Sequence, residues 1–399
     1  MKLAKMSLVA ALLLGASAYA VENVEVGGDA KLFYGTQSEA LVGTDGGLFK
    51  KDSSYADFGA TLGVTADLME NIKAGAKLQV ISTLGMENGI ASSPWSNGHI
   101  SDSGALDTTE WVSEAWLEGK LANTTAKAGR MTLETPLVFT ETWSMDYNTF
   151  EAATFSNVDI PDTTLIGGFI ATHNGFSADP GAGAGNVMSQ GGLFKKIGSD
   201  GAYLVGGINN SIKPITAQGW YYDVTGAVEA YWLQADLDYE GVIAGAQYTS
   251  LDLDGGNDSD SAYALKLGYA IADVATITAA YSSVSDTGDR GGVYNLATDG
   301  QFAGTASSLY TEFWWWFQTA SATGADTVTL SAEGSVADVD LFLGLYSSKN
   351  SVTDRDTDEV ALTVSKSFGP VDTSVALIHD MFNYMDNITT AQLYFTYNF

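Results

Sequence analysis

The chain has 399 residues, no cysteine, and 18 Lys and Arg against 48 Asp and Glu, for a net charge of −30. A charge this negative excludes a nucleic-acid binder, which needs a basic footprint. The missing cysteines exclude a disulfide framework, a thiol nucleophile and a Cys-ligated metal. Glycine is plentiful at 44, proline scarce at 6, and Tyr, Trp and Phe are frequent, a composition that is β-rich and not disordered.

Lys2 and Lys5 precede an apolar run, Met6 to Leu14, and then Ala18-Tyr19-Ala20, a small–x–small cleavage pattern. Residues 1–20 therefore read as a secretory signal peptide cut near Ala20, and 21–399 as one mature domain. No later stretch is apolar for long enough to make a spanning helix, so any passage through a membrane must use strands.

Clean period-2 alternation follows. Phe58, Ala60, Leu62, Val64, Ala66 and Leu68 alternate with Asp57, Gly59, Thr61, Gly63, Thr65 and Asp67. Ile72 to Val80 sets alternate apolar residues against Lys73, Gly75, Lys77 and Gln79. In 110–121, Trp111, Ala115, Leu117 and Leu121 oppose Glu110, Glu114, Glu118 and Lys120. Tyr231 to Tyr239 opposes Asp236 and Asp238, and Tyr263 to Tyr269 opposes Lys266. Strands of about ten residues, apolar on one face and small or polar on the other, with aromatics at their ends, predict a transmembrane antiparallel β-barrel with a wet lumen. A soluble β-sandwich would use shorter strands and has no reason for terminal aromatics.

The chain ends with Leu393, Phe395, Tyr397 and Phe399 on one face. An outward Phe as the last residue makes sense at a lipid interface. Phe395, Tyr397 and Phe399 are similar to the terminal signal read by the barrel-assembly machinery.

Short turns fall near Asn71, Asn123, Pro214, Glu240, Asp273, Val339 and Pro370, with longer loops between them. An even strand number is required, and the parity closes at about eighteen if 187–197 is a strand; sixteen is the alternative.

The segment 134–163 lacks alternation yet carries Leu137, Val138, Phe139, Trp143, Tyr147, Phe150, Phe155 and Ile160. Apolar residues in such number need burial, and the lumen is the available place, so this third loop is expected to fold inward. Its acids, Glu134, Glu141, Asp146, Glu151, Asp159 and Asp162, are expected to face wall residues Lys73, Lys77, Glu114, Glu118, Lys120 and Arg130 across a constriction. Acids opposite bases give a transverse field that selects by charge.

Gly129-Arg130, Thr135-Pro136-Leu137, Asn148-Thr149-Phe150-Glu151 and Ile160-Pro161-Asp162-Thr163-Thr164-Leu165 resemble OprD-like outer-membrane porins, nearest to the major porins of the campylobacterial lineage. Gln218 to Asp223, Leu309 to Glu312 and Ser367 to Pro370 extend the likeness over nearly the whole mature chain. The resemblance implies an eighteen-stranded diffusion channel in the bacterial outer membrane, with lipid, lipopolysaccharide, small ions and hydrophilic solutes as partners and a homotrimer as its assembly. The chain departs from carboxylate-selective members of that group in having just three arginines, Arg130, Arg290 and Arg355. The surplus of acids instead predicts a cation preference.

No cofactor or metal is expected. The Asp-rich stretches 252–260 and 354–359 lack EF-hand spacing. Tyr310 and Phe313 to Phe317 form an aromatic knot read as a loop core over the barrel mouth. His99, His173 and His379 sit in no catalytic motif, so an enzyme is not expected. A substrate-specific channel and a plugged structural or adhesive barrel remain as rivals.

Overall fold

The computed structural model describes residues 21–399 except 97, 100–105, 176–188, 190, 273 and 299–304; the expected signal peptide lies outside this range. The strands are β1 (Glu22–Gln37), β2 (Ser54–Met69), β3 (Ile72–Ser82), β4 (Thr109–Leu121), β5 (Thr124–Met131), β6 (Phe150–Asn157), β7 (Thr163–His173), β8 (Lys195–Lys196), β9 (Ala202–Asn209), β10 (Ile215–Val224), β11 (Val228–Tyr239), β12 (Val242–Leu253), β13 (Asp260–Ile271), β14 (Ala275–Val284), β15 (Ala325–Val336), β16 (Val339–Asn350), β17 (Arg355–Phe368), β18 (Val371–Phe382) and β19 (Ile388–Asn398). Each full strand pairs antiparallel with its neighbours, and β1 pairs with both β2 and β19, so the sheet closes on itself. The two-residue β8 pairs only with the end of β7, while β9 pairs with β7 along most of its length. The wall is therefore an eighteen-stranded barrel.

Short turns join the strands at the end that carries the chain termini. At Glu240-Gly241 and Ala337-Asp338 both central residues adopt positive φ, the geometry of a two-residue hairpin turn. The long loops gather at the opposite end.

Eighteen is the expected number, but the closing strand is a different one. The segment 187–197 contributes just the two residues of β8 to the sheet; 187, 188 and 190 lie outside the described residues. The missing strand is β6, which the sequence reading placed inside the 134–163 loop. Its outward residues Glu151, Ala153 and Phe155 and its inward residues Phe150, Ala152 and Thr154 hardly differ in polarity, so alternation could not reveal it. The inward loop is accordingly 132–149, and 158–162 is a short turn at the terminal end.

Side-chain direction follows the register, because cross-strand partners point to the same face. Leu265, Leu267, Tyr263 and Tyr269 on β13 are exposed on the outer face, as are Phe395, Tyr397 and Phe399 at the C-terminus. One expectation fails at β4. Lys77 pairs with Glu114 but Leu78 pairs with Val112, so Ser113 is an extra, bulged residue. Beyond it the phase inverts: Trp111 lies opposite inward Gln79 and is buried, and Glu110 lies opposite outward Val80. Trp111 therefore faces the lumen and Glu110 the outside, the reverse of the sequence reading.

Candidate functional site: a crossbar inside the bore

Loop 132–149 crosses the lumen. Its first limb, with Leu133, Leu137 and Val138, is buried against Tyr222 and Trp232 of β10 and β11, and the backbone N–H of Leu137 donates to the Tyr222 hydroxyl at 3.4 Å. Its second limb returns to the far wall, where Met145 packs with Phe33, Tyr55, Ile81 and Trp111 of β1 to β4. The apolar residues of the first limb explain the inward fold, since outside the barrel they would face water.

A second loop, 285–324, completes the bar. Leu296 N–H donates to Leu137 O at 2.8 Å, and the Ser308 hydroxyl donates to Pro136 O at 2.7 Å. Glu141 fastens the two loops: its carboxylate accepts from Trp143 Nε1 at 2.9 Å, Asn295 Nδ2 at 2.9 Å, Thr298 Oγ1 at 3.0 Å and Ala306 N at 3.2 Å. Burial raises the Glu141 pKa despite these four bonds. The aromatic knot folds down onto the wall, with the N–H groups of Trp314 and Trp316 donating to the Glu359 carboxylate at 2.9 and 3.0 Å.

The loop 83–108 is pinned separately. Trp95 and Ser96 donate backbone N–H groups to Asp57 Oδ2 at 2.9 and 2.7 Å, and His99 Nε2 lies 3.3 Å from Asp57 Oδ1. Burial works against charging His99, but the hydrogen bond and charge of Asp57 prevail and raise its pKa. Asp146 sits fully buried beside them, and burial pushes its carboxyl up to about 6, with Asp57 adding repulsion.

The six loop acids thus occupy three settings. Glu141 and Asp146 are buried within the loop structure, and Glu134 is exposed on it. Glu151 is on the wall at β6, and Asp159 and Asp162 lie in or beside the turn at the terminal end, where Asp159 accepts from Asn123 and Asn157. Phe155 and Ile160, expected inside, are 51% and 52% exposed on the outer surface. The sequence reading failed here because it ran the loop across β6.

Of the wall residues, Lys73, Lys77, Glu114, Glu118 and Lys120 share the inward face by register. Lys73 lies 3.7 Å from Asp67, and Lys77 lies 3.0 Å from Glu114. Arg130 does not join them. It pairs across the strands with Ala115 and Glu151, on the outer face, where it reaches Glu151 at 2.7 Å and stacks 3.9 Å from the Phe194 ring. A groove of about 590 Å³ beside this pair is lined by Ala115, Gly129, Ala153 and Phe169. Two inward lysines carried no weight in the sequence reading, Lys31 on β1 and Lys127 on β5, over the Trp116 ring; Lys266 on β13 lies on the inward face where its alternation put it. Alternation alone could have found Lys31 and Lys127. Among the described residues no group of three or more His, Asp or Glu is placed to hold a metal ion.

A closed barrel with an inward loop bar is the form of a channel, and a profile of the Gram-negative porin family matches residues 7–313. The chain belongs to the Gram-negative porin family. The porin fold extends over the full barrel. OpdK of Pseudomonas aeruginosa, solved with vanillate, superposes with a TM-score of 0.74 at 11% identity, covering 95% of this chain and 99% of that one. OccAB1 of Acinetobacter baumannii gives 0.73 at 14% identity, covering 96% and 97%. OccK9 (OpdG) of Pseudomonas aeruginosa gives 0.71 at 16%, covering 94% and 98%. No curated protein sequence matches. The porin is an outer-membrane channel and not an enzyme.

Proposed function

We propose that this porin conducts ions and small hydrophilic solutes passively, prefers cations, and selects by size and charge where the crossbar narrows the bore. The observation that carries the reading is the placement of charge. Inward lysines are largely matched by neighbours, as Lys73 is by Asp67, while Glu118, Asp238, Glu333 and Asp340 add further acid to the lumen wall. An acidic aqueous bore concentrates cations and repels anions. The crossbar supports size exclusion, because solutes must pass beside it. The test is single-channel conductance in a planar bilayer followed by the reversal potential in a KCl gradient. A stable conductance with reversal on the cation side is expected; reversal on the anion side overturns the charge reading, and no conductance points to a plugged, adhesive barrel.

The assembly is a homotrimer in this reading, and the chain is placed among the porins of the campylobacterial lineage. The outer-face ion pair Arg130–Glu151 supports the trimer: a charged pair among Ala115, Ala128 and Ala153 suits a protein neighbour better than lipid. Chemical cross-linking in outer-membrane vesicles tests it. A ladder ending at three copies is expected, and monomers alone refute it.

A further inference from the structure

The two ends of the crossbar are fixed to the wall by the same three-part device. At one end, Lys77 Nζ lies 3.0 Å from Glu114 Oε1, and Tyr147 of the 132–149 loop donates its hydroxyl to the same oxygen at 3.3 Å. The Lys77 ammonium stands 5.7 Å from the Tyr147 ring centroid. At the other end, Lys266 Nζ lies 3.0 Å from Asp236 Oδ1, and Tyr310 of the 285–324 loop donates to that oxygen at 2.6 Å. The Lys266 ammonium stands 4.1 Å from the Tyr310 ring centroid.

The wall is shaped for the second device. Asp236, Gly245 and Lys266 are register partners on β11, β12 and β13. A Cβ at Gly245 would lie 2.5 Å from the Tyr310 hydroxyl and 2.8 Å from Asp236 Oδ1, so the missing side chain makes the room in which lysine, acid and tyrosine meet. Burial raises the pKa of both tyrosines, which keeps the hydroxyls protonated as donors. The pairs β3–β4 and β11–β13 lie nearly half a turn apart around the ring.

We propose that these two lysine–carboxylate–tyrosine clamps are the selectivity-determining and loop-seating residues of the pore. Each carboxylate neutralises a lysine that faces the ion path and holds one end of the crossbar against the wall through a loop tyrosine. Both lysines and both acids retain water access, with side-chain exposures of 38% and 12% for Lys77 and Glu114 and 23% and 29% for Lys266 and Asp236. Their charges are therefore felt by passing ions.

The proposal rests on the channel reading and separates from it by experiment. Glu114→Gln and Asp236→Asn each free a lysine, and the cation-to-anion permeability ratio is expected to fall about four-fold, since one unit charge about 10 Å from the ion in water disfavours cations about two-fold and favours anions about two-fold. Lys77→Met and Lys266→Met are expected to raise it by a similar factor. Tyr147→Phe, Tyr310→Phe and Gly245→Ala change no charge: the reversal potential stays, while brief closures and current noise increase as the loop end loosens. Heat-modifiable migration on gels confirms that each variant is folded. Conducting variants with unmoved permeability ratios overturn the selectivity role, and tyrosine and Gly245 variants as quiet as the wild type overturn the seating role. A silent wild-type protein overturns the channel reading itself, and the clamps with it.

Discussion

The wall from β9 to β19 and the wall from β2 to β7 are both built on period-2 alternation, yet they differ in continuity. From β9 round to β19 and on to β1, every pairing runs without a register shift. Between β1 and β7, shifts interrupt four pairings: β1–β2, β2–β3, β3–β4 and β6–β7. The regular arc turns Tyr231, Leu233, Tyr263 and Leu265 outward and keeps Trp220, Tyr222 and Trp232 inward, against the crossbar. The bulged arc turns a tryptophan inward at Trp111 and brings an arginine and a glutamate outward at Arg130 and Glu151. A bulge re-aims side chains at the cost of one unpaired residue. The bulge at Ser113 turns Trp111 into the lumen, where it joins the docking surface for the second limb of the crossbar, while the first limb docks on β10 and β11 of the regular arc without one.

The contrast can be broken at Trp111, which is 2% exposed in the cluster with Met145 and Trp95. Trp111→Ala is expected to destabilise the protein by about 3–5 kcal/mol, the usual cost of emptying a buried aromatic site. Tyr263→Ala on the regular arc, exposed to lipid, should cost much less. Denaturant unfolding in detergent micelles checks both.

Next in size is the latch beneath the 83–108 loop. Asp57→Asn leaves His99 buried without its charge partner, an effect of about 3 kcal/mol on docking of that loop. In the wild type, His99 has a pKa raised above its unfolded value of about 6.5. Its contribution is therefore fully present below about pH 6.5 and is lost as pH rises through the raised folded value. Asp146, pushed up to about 6, acts in the same direction: its neutral form suits burial, so rising pH weakens the docked state there too. Hydrogen exchange at the Trp95 and Ser96 amides should accelerate toward alkaline pH beyond the intrinsic rate, and His99→Gln should flatten that dependence. An unchanged pH profile in His99→Gln would sink the latch.

The smallest effect sharpens the contrast from the opposite direction. Arg130→Ala removes a charge from the outer face, so the reversal potential should not move, whereas Lys77→Met should move it. A shift with Arg130→Ala equal to that of Lys77→Met would place Arg130 in the lumen after all.

Much of the barrel could be read from residues alone wherever the two faces of a strand differ chemically. The stretches 55–68, 231–239 and 263–269 announce their direction because leucine and tyrosine alternate with aspartate, lysine or glycine. β6 stays silent because Phe and Ala occupy both of its faces, and Ser113 stays silent because a single inserted serine leaves no mark on composition. The inward loop was legible from its misplaced apolar residues, although its far boundary was not. The clamps were half legible: Lys77, Glu114, Asp236 and Lys266 sat on predicted inward faces. Their tyrosine partners come from loops 33 and 74 residues away in sequence, and no local pattern encodes that meeting.

Phe399 and Gly28 exchange two backbone hydrogen bonds, 2.9 Å from Gly28 N to Phe399 O and 3.0 Å from Phe399 N to Gly28 O. The seam of the ring therefore includes the very last residue of the chain. Until that strand arrives, β1 and β18 are two open edges, each offering unpaired amides to any strand nearby. A chain shortened by its last strand is therefore expected to be an open sheet prone to join its neighbours and not a narrower pore.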